Sequence, residues 1–431
     1  MKLLRSYKVR LLPNKVQEQK LKDYCGLQRF VYNSMLEYCM DCYDQSNLYI
    51  HKKDVYECFK QFTHLITIAK KTTEYQWLKQ FSRHTIMNIQ RDLKFAYEKY
   101  FKFQDSNDFL SMIKNKKLTN KLQYKHHPQF KKKKNDKKIS IPFDADEVYN
   151  DGNEYIKFPK LGRMKFQLNK KSKFQIPKGT HMKVKEHKNY ILNPRIKFIN
   201  NKWILCFVME IDSQDIQLNI GSVIGIDLGI KHLCAVSKFN GQSVLFKNIN
   251  KELKRIKRLE IKKIKLQQSI SRKYRTFKRF YPNQKFIRSN SFNKVVKQLD
   301  KVYYHLSCIR KDYLDWISKQ IVNQLPETIV LEDLDLSFMI KNHKLAKYEL
   351  DQSLGLFRNM IKYKAEELGI KIILVDKTYP SSQFCSNCGH KQKMPLNKRI
   401  YKCPMCGMSL DRDINASLNL QYFGEQYLSS Y

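Results

Sequence analysis

Apolar residues run in two rhythms along this chain, and the alternation between them predicts its elements. Tyr7, Val9 and Leu11 alternate with Lys8 and Arg10 and stop at Pro13, which is the period and punctuation of a short strand. From residue 15 to about 102 the rhythm is helical: Ile86, Ile89, Leu93 and Ala96 recur at three- and four-residue steps, with Arg91, Asp92 and Lys94 between them. Such stripes read first as a helical bundle packing on itself, and alternatively as a helical lobe laid along a nucleic-acid duplex with its outer cations on phosphates. Short β runs return at 155–158, 163–166 and 203–209, a spacing that suggests a small β-barrel. After Ser222 the texture changes. Residues 223–229 and 233–237 read as a hairpin, and a helix with Leu306, Ile309, Tyr313 and Ile317 on one stripe leads to a strand at 328–331 that ends on Glu332. A helix at 356–368, a buried strand at 370–375 and a last helix at 414–422 complete an α/β layer pattern.

Charge narrows the partners. The 431 residues include 82 Lys and Arg against 40 Asp and Glu, a net charge of +42, which concentrates any phosphate polymer around the protein. No apolar run approaches the ~18–20 residues of a membrane-spanning helix, and no signal peptide is read, so the expected partner is nucleic acid and not a bilayer. The chain exceeds the usual single-core length and is 42% hydrophobic, so two to four packed units are expected. Residues 114–138 hold eleven lysines and one acid, Asp136, a block too self-repelling to fold alone. Residues 251–290 hold fifteen Lys and Arg against two Glu, read as a long basic helix interrupted near Pro282.

Against this background a few carboxylates stand on apolar runs. Asp227 lies between Gly225 and Gly229 on the strand face opposite Ile224 and Ile226, Glu332 ends a strand, and Asp413 precedes the last helix. Glycines on both sides of Asp227 leave room for a ligand or another backbone. Carboxylates from two strand ends and a helix start can converge on one crevice, and phosphodiester cleavage by two Mg²⁺ ions requires such a set of oxygen ligands. A lone Asp after a strand is more often a turn residue or helix cap, and Asp333, Asp335 and Asp411 are natural candidates for that role. Spacing alone does not rank the two groups.

Cys385-Ser386-Asn387-Cys388-Gly389 and Cys403-Pro404-Met405-Cys406-Gly407 are two Cys-x-x-Cys-Gly turns with fourteen residues between them. Four thiolates so placed close a structural Zn²⁺ site without a vacant position, which assigns stability and not chemistry. His390 is a substitute ligand by type. The other seven of the eleven cysteines are scattered, so this is not a disulfide framework.

Taken in order, these motifs resemble the TnpB family, RNA-guided endonucleases of small insertion sequences related to type V CRISPR effectors and to the eukaryotic and viral Fanzor proteins. The resemblance is carried by residues 7–14, 29–33, 159–162, 225–229, 332–334, 363–366, 382–389 and 411–416. It implies a RuvC nuclease domain of RNase H-like fold with Asp227, Glu332 and Asp413 as Mg²⁺ ligands, and it selects Asp413 over Asp411. It implies an inserted zinc knuckle on Cys385, Cys388, Cys403 and Cys406, and an N-terminal β-barrel "wedge" with an inserted helical recognition lobe. The implied boundaries are 1–14 for the first wedge strand, 15–125 for the recognition lobe and 126–218 for the barrel. The RuvC core would run over 219–380 with a basic helical insertion at 245–325, then the zinc-binding, target nucleic-acid-binding domain at 381–408 and a last RuvC segment at 409–431. The implied partners are a guide RNA from the transposon end and double-stranded target DNA beside a short flanking motif, in the cytoplasm or, for a eukaryotic or viral relative, the nucleus. Two other functions stay open: RNA-guided DNA binding without cleavage, and a transposase or accessory factor acting on transposon ends.

Overall fold

A computed structural model of the chain describes residues 2–44, 52–105, 127–133, 139–152, 154–167, 191–212, 217–229, 231–239, 241–248, 254–333, 353–376, 378–395 and 398–429. These form two compact units, residues 2–211 and 212–431. Most of the lysine block at 114–138 and Asp335 lie outside the described residues.

In the first unit, β1 (Lys2–Leu12) follows the predicted alternation, with Val9 and Leu11 buried and Lys8 and Arg10 exposed. Asn14 then opens α1 (Lys15–Asp44). Its side-chain oxygen accepts from the Gln17 amide at 2.8 Å, and the Gln17 side-chain oxygen accepts from the Asn14 amide at 3.1 Å, a reciprocal cap for the first turn. Two further helices follow, α2 (Lys52–Ala69) and α3 (Arg83–Gln104). Ser82 caps α3 by accepting from the His84 amide at 3.2 Å. Ile86, Ile89 and Leu93 are buried as their spacing predicts, and Tyr97, rather than the half-buried Ala96, completes the stripe. Asp92 leaves the expected polar face: both its oxygens accept from the Arg195 guanidinium, at 2.6 and 3.0 Å.

The strands β2 (Ser140–Pro142), β3 (Tyr149–Gly152), β4 (Tyr155–Phe158), β5 (Gly162–Gln167), β6 (Leu192–Ile199) and β7 (Lys202–Asp212) join β1 in one sheet of order β2-β6-β7-β1-β5-β4-β3. The first strand of the chain thus lies mid-sheet, and the three helices leave between β1 and β2. Spacing suggested a closed barrel. The ladders instead end at β2 and β3, runs of three and four residues that pair on one side only among the described residues. Helices and sheet bury one common apolar cluster that includes Val9, Leu21, Leu27, Ile89, Phe158 and Phe207, so the bundle reading of the helical stripes holds.

The second unit is a layered α/β structure. Strands β8 (Asn219–Leu228), β9 (His232–Phe239), β10 (Gln242–Lys247), β11 (Pro326–Glu332) and β12 (Lys371–Val375) take the order β10-β9-β8-β11-β12. The β10–β9 and β9–β8 pairs are antiparallel, and β8–β11 and β11–β12 are parallel. The helices are α4 (Lys254–Phe280), α5 (Asn290–Val322), α6 (Leu354–Glu367) and α7 (Arg412–Ser429). The period-2 pattern of the strands divides the side chains between two faces. Ile224, Ile226, Ile329 and Leu331 pack under α5 and α6 with Ile317, Ile321, Phe357 and Ile361. Val223, Val330, Ile373 and Val375 pack under α7 with Leu420. Gly225 and Asp227 share parity with Val223 and so belong to the α7 face. Pro282 ends the basic helix as predicted, since α4 stops at Phe280. β10 is an added strand that the apolar pattern did not reveal.

Candidate functional site

On the α7 face the register of two parallel strands sets the first two carboxylates side by side. Leu331 pairs with Ile226, so Glu332 and Asp227, each one residue further, end neighbouring strands at the same edge of the sheet. Asp413 arrives from the other direction, in the first turn of α7, which begins at Arg412, two residues before the predicted start. What brings it close is the missing side chain at Gly225 of β8. A Cβ on Gly225 would lie 2.1 Å from the Ser417 carbonyl oxygen and 2.5 Å from the Gln421 amide nitrogen, so α7 seats its backbone directly on the strand. At Gly424 of α7 a Cβ would meet Val330 and Val223 at 2.5 and 2.8 Å. Gly229 repeats the arrangement at the strand end, where an added Cβ would stand 3.7 Å from the Asp413 carboxylate.

The three carboxylates are half-buried. Desolvation, together with the charges of Glu332 and Asp413, pushes the Asp227 carboxyl well above its usual range, and Arg412 opposes the shift. Burial also raises Glu332, offset by a hydrogen bond from the Ser381 hydroxyl and by Arg412. A crowded, partly desolvated set of hard oxygen donors of this kind fits divalent cations, which would relieve the mutual repulsion. The other acids of the sequence reading have partners of their own. Asp411 accepts from the Asp413 amide at 2.9 Å and so caps α7, and Asp333 is an exposed partner of Arg358 at 2.9 Å.

The cysteine turns lie between β12 and α7 and are near copies of each other. The Gly389 amide donates to the Cys385 carbonyl at 2.9 Å and the Gly407 amide to that of Cys403 at 3.1 Å. The Cys385 and Cys403 amides donate to the carbonyls of His390 and Met408, both at 2.9 Å. Both glycines adopt the positive φ that such turns demand, 73° and 71°. The four sulfurs lie within 4.8 Å of one another, with Cys385 to Cys406 and Cys388 to Cys403 both at 3.6 Å. A tetrahedral ion with Zn–S bonds of ~2.3 Å requires sulfurs about 3.8 Å apart, so the donor set fits Zn²⁺, and the distances are far beyond a ~2.05 Å disulfide bond. Hydrogen bonds from the Met408 amide and the Asn387 side chain draw the Cys406 thiol down to about 6. His390 supplies a backbone carbonyl here and is not one of the gathered donors.

A tie between knuckle and crevice escaped the sequence reading. Asn415 is fully buried: its carbonyl accepts from the Ser386 amide at 3.0 Å, and its amide donates to the Phe384 carbonyl at 2.6 Å. One turn on, Asn419 donates to the carbonyls of Ser381 and Phe384 at 2.7 and 2.8 Å. Two asparagines four apart, on a helix whose preceding residue is Asp413, were the available signal. The hydrogen-bonded hairpin β13 (Ile400–Lys402) and β14 (Ser409–Asp411) runs from the second cysteine pair back to that helix.

Comparison with known proteins follows the same division. The family described as "Probable transposase" (OrfB_IS605) matches residues 206–343, the "Cas12f1-like, TNB domain" matches 355–420, and the "Helix-turn-helix domain" (HTH_OrfB_IS605) matches 1–47. In this chain the last stretch is a strand and one long helix. The "Putative RNA-guided DNA endonuclease InsQ" of Escherichia coli is 24% identical over 100% of this chain and 94% of its own. A "Putative RNA-guided DNA endonuclease" of Streptomyces pristinaespiralis is 30% identical over 46% of this chain and 44% of its own. The "CRISPR-associated endodeoxyribonuclease Cas12f1" of Sulfoacidibacillus thermotolerans is 28% identical over 51% of this chain and 50% of its own. Among solved structures, "the mini-RNA-guided endonuclease CRISPR-Cas_phi3" aligns over 98% of this chain and 92% of its own at 13% identity and a TM-score of 0.44. No helix of the described residues is long and apolar enough to cross a membrane.

Proposed function

We propose that this chain, which carries OrfB-type transposase and TnpB-like domains, is an RNA-guided DNA endonuclease. The observation that carries the reading is the seating of Asp227 and Glu332 on adjacent strand ends with Asp413 brought onto them by α7. The strand order β10-β9-β8-β11-β12, with only the β8–β11–β12 half parallel, supports a RuvC-type, RNase H-like core. Divalent cations held by the three carboxylates, Mg²⁺ being the proposed ion, would supply an activated water and stabilise the leaving oxygen of a phosphodiester. The protein's own part is placement. Ser381 donates to Glu332, Arg412 lends positive charge beside the acids, and the partial exposure of the three carboxylates would let them meet a DNA strand.

The names of the relatives supply the guide: an RNA, here proposed to come from the transposon end, pairs with the target while the basic surface holds the duplex by backbone and shape. The boundaries drawn from the resemblance are proposed with it. Residues 1–14 and 126–218 form the wedge, 15–125 the recognition lobe, and 219–380 with 409–431 the nuclease. The Zn²⁺-bound segment 381–408 contacts target DNA.

The test is to purify the protein with RNA from its own locus and offer DNA bearing a matching target beside randomised flanks. Double-strand cuts that require the match and disappear in Asp227→Ala are expected. Stable guided binding with no cuts in Mg²⁺ or Mn²⁺ would replace this reading by one of binding alone, and guide-independent joining of transposon ends by one of transposition.

A further inference from the structure

Far from the carboxylates in sequence, the turn joining α4 to α5 carries a built hollow that the nuclease reading does not use. Phe286 sits at its centre, with ring centroids 5.1 Å from Tyr274, 5.1 Å from Phe277 and 4.9 Å from Phe292, all at steep angles. The turn is held in place. The Lys278 ammonium donates to the carbonyls of Pro282 and Gln284 at 3.1 and 2.9 Å, and Ser289 caps α5 by accepting from the Phe292 amide. The hollow has a volume of about 400 Å³, within the ~300–1,000 Å³ of small-ligand sites, and Tyr274, Arg275, Phe286, Arg288 and Phe292 line it.

Two features separate it from a plain hairpin clasp. A clasp is served by burying its rings, yet Tyr274 keeps 46% of its surface exposed, and the Arg288 guanidinium lies 5.8 Å over the Phe292 ring at the rim. The surroundings are also of one sign: from Ile261 to Leu299 there are twelve Lys and Arg and no Asp or Glu. Ring faces call for a flat π-system, and cations without acids call for anions on either side of it. A paired duplex hides its base faces, and an acidic peptide has no flat group to offer.

We infer that this hollow binds an unpaired nucleotide of a single strand, its base against the exposed ring of Tyr274 and its flanking phosphates on Arg275 and Arg288. The inference rests on the proposed function only in that such a protein meets single-stranded nucleic acid, as RNA or as an unwound DNA strand.

The experiment uses full-length Asp227→Ala protein, so that binding is read without cleavage. Fluorescence anisotropy at constant salt would compare oligouridylate, oligothymidylate and a duplex of the same length, about 12 nucleotides. Tyr274→Ala is expected to weaken single-strand binding roughly tenfold, for the ~1–3 kcal/mol of one stacked base, and to leave the duplex nearly unchanged. Tyr274→Phe retains binding, and photo-crosslinks from 5-iodouridine map to Tyr274 or Phe286. If Tyr274→Ala fails to fold, Arg275→Gln with Arg288→Gln reads the same contrast. Tighter binding of oligouridylate assigns the site to RNA, and tighter binding of oligothymidylate to DNA; either supports it. Equal losses in Tyr274→Ala and in the charge control Lys371→Ala on β12, outside this cationic stretch, would overturn it. So would duplex or oligoglutamate competing as well as the single strand. An intact hollow in a wild-type protein that cuts nothing would count against the nuclease reading alone.

Discussion

The chain gathers metal-binding side chains in two places, and it arranges them differently in each. The cysteine knuckle is local: two turns of near-identical hydrogen bonding bring four sulfurs together within 22 residues, at the spacing of a single tetrahedral ion. The carboxylate crevice is assembled over long range, from two parallel strand ends and a helix seated by Gly225, and it stays open and mutually repulsive. A closed site stabilises, whereas an open one keeps positions for substrate and water. The difference teaches that ligand type and closure, not ligand number, separate structure from chemistry here.

The comparison can be broken most sharply by removing one acid. Asp227→Ala should lower guided cleavage by on the order of 10³-fold or more while zinc content, read by atomic emission, stays at one per chain. Next in size is Cys403→Ser, or zinc removal by chelation. Loss of a site whose binding free energy is on the order of 10 kcal/mol should unfold the knuckle and expose its thiols to alkylation. Circular dichroism of the sheet should change little. If the whole unit unfolds with it, the knuckle is not local. Gly225→Ala acts on the crevice from beneath. It must push α7 off β8, so it should destabilise the second unit by about 1–3 kcal/mol in urea titration and abolish cleavage without touching a ligand.

Asn415→Ala tests the tie between the two places. The Ser386 amide loses its acceptor while the Phe384 carbonyl keeps its bond from Asn419, which should cost about 1–3 kcal/mol, with zinc retained and cleavage reduced only in part. The smallest effect is electrostatic. The Asp227 carboxyl titrates higher in the fold than in the unfolded chain, so its contribution is fully favourable below the ordinary carboxylate range and is lost as pH rises through the folded value. In magnesium-free buffer, the urea midpoint of Asp227→Asn should therefore exceed that of wild type more at pH 8 than at pH 4, and added Mg²⁺ should narrow the gap.

The strands and helices that position the crevice were legible because their apolar periods are long and regular: the stripe through Leu306 and Ile317 and the run at 329–331 fall where read. The short ladders β2, β3 and β10 and the open ends of the first sheet were not, since register and closure depend on distant partners. Spacing identified the four cysteines, whose geometry is local. It could not rank Asp413 above Asp411, because the cap that Asp411 makes to the Asp413 amide exists only once α7 has formed. Asn415 was visible only as a polar residue in a helix, and its role depends on carbonyls some 30 residues upstream.

The order in which the ribosome releases the crevice has its own consequence. Asp227 and Glu332 emerge with strands that can pair before the knuckle is made, and the third acid comes last of the three, on the helix that locks onto Gly225. A nascent chain, or one cut short by a nonsense codon within the knuckle, therefore displays the basic helices while the carboxylate crevice lacks its third acid. If the crevice cuts as proposed, prematurely terminated products should bind nucleic acid without cutting it.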